Sequence, residues 1–148
     1  MQHSLRFRAA ARAASVHLLC SIGVALLAGL VVFGLWFPYP YRDLAGGREL
    51  FLLIIAVDVV CGPLLTLVLY NPVKPRAELW RDLGLVAVIQ LAALGYGLHV
   101  VWQARPVYLV QEVDRFKVIT LPQLDPTEVA KLPSRLQPRW MDGPVTVA

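Results

Sequence analysis

Three long apolar stretches dominate the pattern of hydrophobic and polar positions along the chain. They run from 16 to 37, from 50 to 70 and from 83 to 102, and each holds 20 to 22 residues. At about 1.5 Å of helical rise per residue, each reaches across a hydrocarbon core of about 30 Å. Aromatic residues that favour the membrane interface close the stretches: Trp36, Phe37, Tyr39, Tyr70 and Trp102. The pattern predicts three transmembrane helices.

The composition agrees with a membrane protein. Hydrophobic residues make up 57% of the 148 residues and charged residues only 16%, which is more apolar surface than a soluble domain of this size could bury. The net charge is +4, but no basic patch is interleaved with aromatic residues, so we expect no nucleic-acid partner. We interpret the chain as an all-α membrane protein, with a transmembrane region from 1 to 105 and a short β or irregular tail from 106 to 148.

The distribution of Lys and Arg indicates how the helices are oriented. Three arginines precede the first stretch and three basic residues lie between 71 and 82, but only two lie between 38 and 49. Because basic loops tend to stay in the cytoplasm, we expect the N-terminus and the second loop there and the tail outside. The first apolar run is longer than the usual ~7 to 15 residues of a secretory signal, so we expect an uncleaved anchor.

An acid lies in the middle of the second stretch. Asp58 is the only charged residue from Leu50 to Tyr70. A central Asp costs about 2.5 to 3.5 kcal/mol on insertion, whereas each of the surrounding Leu, Ile, Val and Phe residues contributes about −0.3 to −0.6 kcal/mol. The stretch can therefore insert without a bound partner. Within the bundle, we expect Asp58 to form a hydrogen bond with Gln90 or Tyr96.

Small and polar residues share one helical face with Asp58. Gly62 and Thr66 follow it at four-residue spacing. Pro63 has no N–H and leaves the carbonyl of Val59 without its usual partner, so we expect a kinked polar notch near the middle of the membrane. Small side chains let helices approach closely, and the other two stretches carry matching faces, with Gln90, Ala93 and Gly97 in the third and His17, Ser21, Ala25 and Gly29 in the first.

Three interpretations of Asp58 remain open. The acid can bond within its own bundle, the notch can receive a helix of another membrane protein, or the carboxyl can take part in a proton relay. A relay normally needs a chain of titratable groups, and the three stretches contain one acid. One acid also falls short of the carboxylate pair of an aspartyl protease. We therefore expect no enzyme.

Metal and cofactor sites are not indicated either. His17 and His99 lie near opposite ends of their helices, whereas a haem held by two histidines needs them at one depth. No metal-ligand spacing and no phosphate-binding glycine loop occurs in the sequence. We expect no cofactor.

The tail begins with a β-rich segment. Apolar and aromatic residues from 107 to 121, interrupted by the polar pair Asp114 and Arg115, predict a short strand or hairpin. Asp125 followed by Pro126 predicts the start of a helix of one or two turns. The last residues contain several prolines without a clear period, so we expect loose order there.

Two segments carry an ordered set of motifs. They are GGRELFLLIIAVDVVCGPLLTLVLYNPVK at 46 to 74 and QLAALGYGLHVVWQARPVYLVQEVDRFKV at 90 to 118. Together they resemble the TfpX/TfpZ-type accessory proteins of type IV pilins, over residues 15 to 121. The resemblance implies a multi-pass protein of the bacterial inner membrane with a periplasmic tail. It also implies assistance to the major pilin in assembly, stability or pilus dynamics, without catalysis.

The notch and the resemblance together predict a docking site. Pilins of this class carry an apolar N-terminal membrane helix that includes a glutamate, and we expect this helix to dock near Asp58 and Gly62. The predicted partner-binding residues are Asp58, Gly62, Pro63, Thr66, Gln90 and Gly97, and the predicted tail contacts are Arg105, Glu112, Asp114, Arg115 and Phe116. The expected partners are the type IV major pilin and the lipid bilayer. The sequence does not indicate an oligomeric state.

Two other functions fit the same residues. A small transporter or channel subunit would use Asp58 and Pro63 on a substrate path, although three spans without an internal repeat argue against a lone carrier. A structural anchor for a larger membrane complex would tolerate Asp58→Asn without effect. The protein that contacts position 58 distinguishes these functions.

Overall fold

The structure is a computed structural model that describes residues 2 to 147, with side chains from residue 6 onward. Helix α1 (Gln2–Val31) continues into a π-helical turn (Val32–Trp36). A one-turn helix α2 (Tyr41–Leu44) precedes the long helices α3 (Gly47–Leu69) and α4 (Arg76–Gln103). The tail contains β1 (Pro106–Glu112), β2 (Arg115–Thr120), a 3-10 turn (Leu121–Gln123), α5 (Pro126–Val129) and β3 (Val145–Val147).

Three helices in the described part of the chain are long and apolar enough to cross a membrane: Arg6–Trp36, Gly47–Leu69 and Arg76–Gln103. The three predicted apolar stretches lie almost wholly within these helices. At the N-terminal ends the helices extend beyond the predicted stretches, by fourteen residues in α1 and seven in α4. Hydropathy marks only the apolar part of a helix, whereas Ala- and Arg-rich turns extend the helix beyond it.

Proline and glycine residues set the ends of the second and third long helices. Helix α3 ends at Leu69, just before Asn71 and Pro72, and α4 begins immediately after Pro75. Gly46, which precedes α3, has φ of +68°, a left-handed conformation that favours glycine. At Gly47 an added Cβ would lie 2.2 Å from the Phe37 ring, so only a glycine fits there. Both glycines begin the first of the two motif segments, at 46 to 74.

The chain forms two compact units. One contains residues 1 to 27 and 53 to 97, and the other contains residues 28 to 52 and 98 to 148. The predicted boundary at residue 105 separates membrane from tail residues rather than compact units, and it stays a prediction. In the second unit Phe37, Val32 and Val101 are fully buried. The rings of Phe33 and Phe51 meet edge to face, with centroids 5.0 Å apart.

The tail folds into a three-stranded sheet of order β2-β1-β3. Strands β1 and β2 form an antiparallel hairpin that pairs Glu112 with Arg115, which confirms the predicted hairpin. Asp125 accepts a hydrogen bond from the Thr127 N–H at 2.8 Å and caps α5, as predicted. At the end of the tail β3 pairs in parallel with β1, whereas residues 133 to 144 form turns and irregular segments, so the expectation of loose order there stays a prediction. Three residues are too few for a strand pattern, and their pairing is long-range.

Candidate functional site

The mid-span acid of α3 is bonded to α4. The Gln90 side-chain amide donates from Nε2 to the Asp58 carbonyl oxygen at 2.9 Å and to Asp58 Oδ1 at 3.2 Å. This contact confirms the prediction that Gln90 is a partner of Asp58. Tyr96, the other candidate, is 73% exposed. Two polar side chains near the middle of their helices therefore join α3 to α4.

A glycine makes room for this pair. A Cβ added at Gly62 would lie 2.2 to 2.4 Å from the amide atoms of Gln90, far inside contact distance. The absence of a side chain at Gly62 therefore lets the Gln90 amide lie against the backbone of α3. Gly62 follows Asp58 by one helical turn, so the acid and the glycine receive the same side chain.

The next turn of α3 contacts α1. His17 Nδ1 and Thr66 Oγ1 are 2.6 Å apart, and Thr66 is only 2% exposed. His17 belongs to the polar face that the sequence predicted for the first helix. The face of α3 that carries Asp58, Gly62 and Thr66 thus contacts α4 at its first two positions and α1 at its third.

A second glycine, this one on α4, allows α3 and α4 to pack closely. Gly97 is buried, and a Cβ added there would lie 2.7 Å from Ile54 Cγ2. This close approach is typical of small residues at interfaces between membrane helices. Helix α3 continues through Pro63, which is half-buried. Five of the six predicted partner-binding residues therefore take part in contacts within the chain: Asp58, Gly62, Thr66, Gln90 and Gly97.

Hydrogen-bonding capacity remains at Asp58. The residue is half-buried, and within the described part of the chain its Oδ2 atom receives no hydrogen bond. Gln90 Oε1 is buried and also lacks a donor among the described residues. Two acceptor atoms near the middle of these helices are thus unused within the described part of the chain. A donor on another helix could bond to Asp58 Oδ2.

The predicted tail contacts fall into two groups. Glu112, Asp114, Arg115 and Phe116 are all exposed at the tip of the β1–β2 hairpin. Weak ion pairs join Arg115 to Asp114 at 3.4 Å and Lys117 to Glu112 at 3.5 Å. Phe116 is 64% exposed, which gives the tip an apolar side chain among charges. The tip presents these four residues together, whereas Arg105 is elsewhere.

Arg105 is buried and joins the end of α4 to the last part of the tail. It is 3% exposed and donates to the carbonyls of Trp102 at 3.0 Å and Arg139 at 3.4 Å. Its guanidinium lies 4.3 Å from the centre of the Trp102 ring. Burial lowers the pKa of Arg105 from its usual value. The sequence signal that could have predicted this role is the position of Arg105 just after α4, because a cation there can donate to the last carbonyls of the helix.

Other contacts join the end of the tail to the π-helical turn that follows α1. Trp36 Nε1 donates to the Trp140 carbonyl at 3.1 Å, and the position of a Gly143 Cβ would be 3.5 Å from the Leu35 carbonyl oxygen. The Tyr108 hydroxyl donates to the Leu136 carbonyl. Burial raises the pKa of Tyr108, which keeps this donor protonated near neutral pH. Sequence reasoning missed these contacts, because they join residues that are far apart in the chain.

Comparison with known proteins places the chain in a family. Residues 5–46 match the family described as fimbrial assembly protein FimB. A fimbrial assembly protein of Dichelobacter nodosus, serogroup I, is 47% identical over 116 residues, which are 78% of this chain and 45% of that protein. The fimbrial assembly protein of serogroups C1 and C2 is 45% identical over 116 residues, 78% of this chain and 88% of that relative. The chain belongs to the fimbrial assembly protein family.

The relatives differ in length. The chain matches less than half of the serogroup I protein and of the serogroup E1 protein, which is 45% identical over 116 residues. It matches most of the shorter relative from serogroups C1 and C2. No solved structure matches the chain.

Proposed function

We propose that this protein is a non-enzymatic accessory protein of the TfpX/TfpZ type, which assists the assembly of type IV pili from the bacterial inner membrane. Its relatives are fimbrial assembly proteins by name, and three of its helices are apolar enough to span a membrane. Within this proposal, the protein holds pilin subunits in the bilayer before they enter the pilus.

The proposed orientation puts the N-terminus in the cytoplasm and the tail in the periplasm. With three spans, the tail and the connection between the first two spans lie on one side of the membrane. The hydrogen bond from Trp36 to Trp140 supports this, because it joins the end of the first span to the tail. The opposite side carries six Lys or Arg against two acids, as expected of a cytoplasmic side.

The proposed partner is the membrane helix of the major pilin, and Asp58 is its proposed contact. A half-buried carboxyl oxygen without a donor is costly in a hydrocarbon core, so a partner that supplies a donor is favoured there. The glutamate of the pilin helix, when protonated, can donate to Asp58 Oδ2. This unused oxygen of Asp58, in a fimbrial assembly protein, is the observation that carries the proposal.

The notch accepts this helix on its open side. Gln90 fills the space over Gly62 and His17 bonds to Thr66, so the pilin helix does not enter between the helices of the bundle. It lies instead against the exposed surface beside Asp58, which includes the apolar side chains of Val57 and Leu65. The exposed hairpin tip around Phe116 then contacts the periplasmic domain of the pilin.

The substitution Asp58→Asn tests this proposal. An Asn at this position still offers a carbonyl oxygen to the Gln90 amide, so the bond between α3 and α4 survives while the carboxyl is lost. We expect pilin that co-purifies with the protein to fall by about threefold to twentyfold, because interhelical hydrogen bonds contribute about 0.6 to 1.7 kcal/mol. The number of pili per cell should fall as well.

A matched control is Asp142→Asn, which removes an exposed tail carboxylate that forms no ion pair within the described residues. It should leave pilin recovery and pilus number unchanged. Unaltered recovery and pilus number in the Asp58→Asn variant would contradict pilin docking at Asp58. Capture of an unrelated membrane complex in that variant would favour the structural anchor instead.

A further inference from the structure

A groove of about 690 Å³ lies within the unit formed by residues 1 to 27 and 53 to 97. It runs between the first half of the first span, the end of α3 and the beginning of α4. Small and apolar residues such as Val16 and Gly84 line most of it, while Arg12, Tyr70 and Trp80 lie at one end. Its volume falls in the range of ligand pockets, about 300 to 1,000 Å³.

The charges around this end are unbalanced. Lys74 binds both local acids, Glu78 at 3.3 Å and Asp82 at 2.7 Å. The hydrogen bonds that Lys74 donates to Asp82 and then to Glu78 raise the pKa of Lys74 above its usual value. No acid therefore remains for the nearby arginines, and among the described side chains none of these forms a salt bridge: Arg6, Arg8, Arg12, Arg76 and Arg81.

The groove has a polar end and an apolar length. Arg12, Val16 and Cys20 follow one another at four-residue spacing along α1, so they descend one face over about 12 Å of helical rise. Trp80 is 75% exposed and Tyr70 is half-buried, as is typical of residues at a lipid headgroup. This order of guanidinium, interfacial aromatics and apolar wall matches the order of phosphate, glycerol and acyl chain in a phospholipid.

We propose that the groove binds one anionic glycerophospholipid of the surrounding bilayer, with its phosphate at Arg12 and an acyl chain along Val16 and Cys20. Basic pockets between membrane helices on the cytoplasmic side are recognised sites for anionic headgroups. An apolar protein helix would leave the unpaired arginines without a partner, whereas a phosphate supplies one. The proposal rests on the membrane setting of the three spans and not on pilin binding.

The test measures lipid that stays bound to the full-length protein. The protein is reconstituted in vesicles of phosphatidylethanolamine and phosphatidylglycerol in equal parts and extracted in a mild detergent, and the retained lipids are quantified by native mass spectrometry. We expect one phosphatidylglycerol per chain, enriched over its share of the vesicle. Arg12→Gln should reduce that enrichment about fivefold, since one basic residue near an anionic surface is worth about 1 kcal/mol.

Two matched controls distinguish the contribution of the headgroup contact from that of the apolar groove. Arg135→Gln removes an exposed arginine of the tail and should leave the enrichment unchanged. Gly84→Leu fills the groove and should abolish retention of the lipid, whereas Gly95→Leu, on the same helix, should not. A Cβ at either glycine meets nothing within 4 Å, so both variants are expected to fold.

Three results would overturn the proposal. The wild-type protein could retain both lipids in the proportion of the vesicle. The enrichment could survive both Arg12→Gln and Gly84→Leu. A crosslinker on Cys20, in a Cys61→Ser background, could capture pilin rather than lipid in cells. Because pilus number is not the readout of the lipid measurement, its failure leaves pilin docking at Asp58 standing.

Discussion

The amide of Gln90 donates to two oxygens of one residue, the backbone carbonyl and the carboxyl group of Asp58, at 2.9 and 3.2 Å. A backbone carbonyl oxygen has two lone pairs, so the Asp58 carbonyl can accept this bond in addition to a helical one. The bond to the carboxyl uses only Oδ1. One side chain thus stabilises the helix pair while Asp58 keeps an oxygen for another molecule.

We predict that Gln90→Leu destabilises the bundle. The variant removes both bonds to Asp58 and leaves its carboxyl without a donor in the described chain. Hydrogen bonds between membrane helices contribute about 0.6 to 1.7 kcal/mol, so a loss of that size in the free energy of unfolding is expected in bicelles. Gln103→Leu, at the exposed end of the same helix, is the control and should change stability little.

Gly62→Ala should act through the same side chain. The new methyl group overlaps the Gln90 amide, which must leave its position against α3 and lose its bonds to Asp58. The expected loss of unfolding free energy is again about 1 kcal/mol, whereas in a Gln90→Ala background, where the amide is already absent, Gly62→Ala should cause no further loss. Gly95→Ala is the control, because its Cβ would meet no atom within 4 Å. Equal destabilisation by the two alanines would show that the Gln90 contact does not matter.

The tail should loosen when its bond to the first span is removed. In Trp36→Phe the ring remains but the Nε1 donor to the Trp140 carbonyl is lost. We expect faster cleavage by trypsin near Arg135 and Arg139, because the segment between α5 and β3 loses a fixed point. Trp80→Phe, at an exposed position, should leave the cleavage rate as in the wild type.

A pH titration should detect the cap of α5. Asp125 accepts hydrogen bonds from the Thr127 N–H and hydroxyl, at 2.8 and 2.7 Å, and these hold its pKa below the usual 3.8. Because the pKa is lowered on folding, the stabilisation is complete above 3.8 and is lost as pH falls through the folded pKa. The Thr127 amide resonance should therefore shift only below about pH 3.8. Asp125→Asn should abolish this titration, and an unchanged titration would exclude the cap.

Much of the helical architecture could be predicted because the sequence pattern of a membrane helix depends on residues that are close together in the chain. The length of the apolar stretches predicted the spans, and four-residue spacing predicted the face of α1 that includes His17. The polar residues of the third stretch offered Gln90 and Tyr96 as candidate partners of Asp58, and Gln90 is the one that bonds to it. The proximity of Asp125 and Pro126 gave the cap of α5. In each case the deciding residues lie within a turn or two of one another, or on one face of a single helix.

The remaining features depend on contacts between distant segments. The pairing of Val145 with Tyr108 has no local signal, and neither has the role of Trp140 as an acceptor for Trp36. Arg105 was predicted to be a surface contact, yet it is buried against backbone carbonyls. A charged residue after a helix fits either role, and only the folded tail distinguishes them.

Crosslinking in cells that are assembling pili tests the central proposal most directly. The native thiol of Cys61 is exposed and lies about 60° around α3 from Asp58, whereas Val60 lies about 160° away. In a Cys20→Ser background, we predict that a crosslinker on Cys61 captures the major pilin. A thiol moved to position 60 (Val60→Cys with Cys61→Ser) should not capture it. Adding Asp58→Asn should reduce the capture from Cys61. Equal capture from both positions, or lipid alone at Cys61, would contradict pilin docking at Asp58.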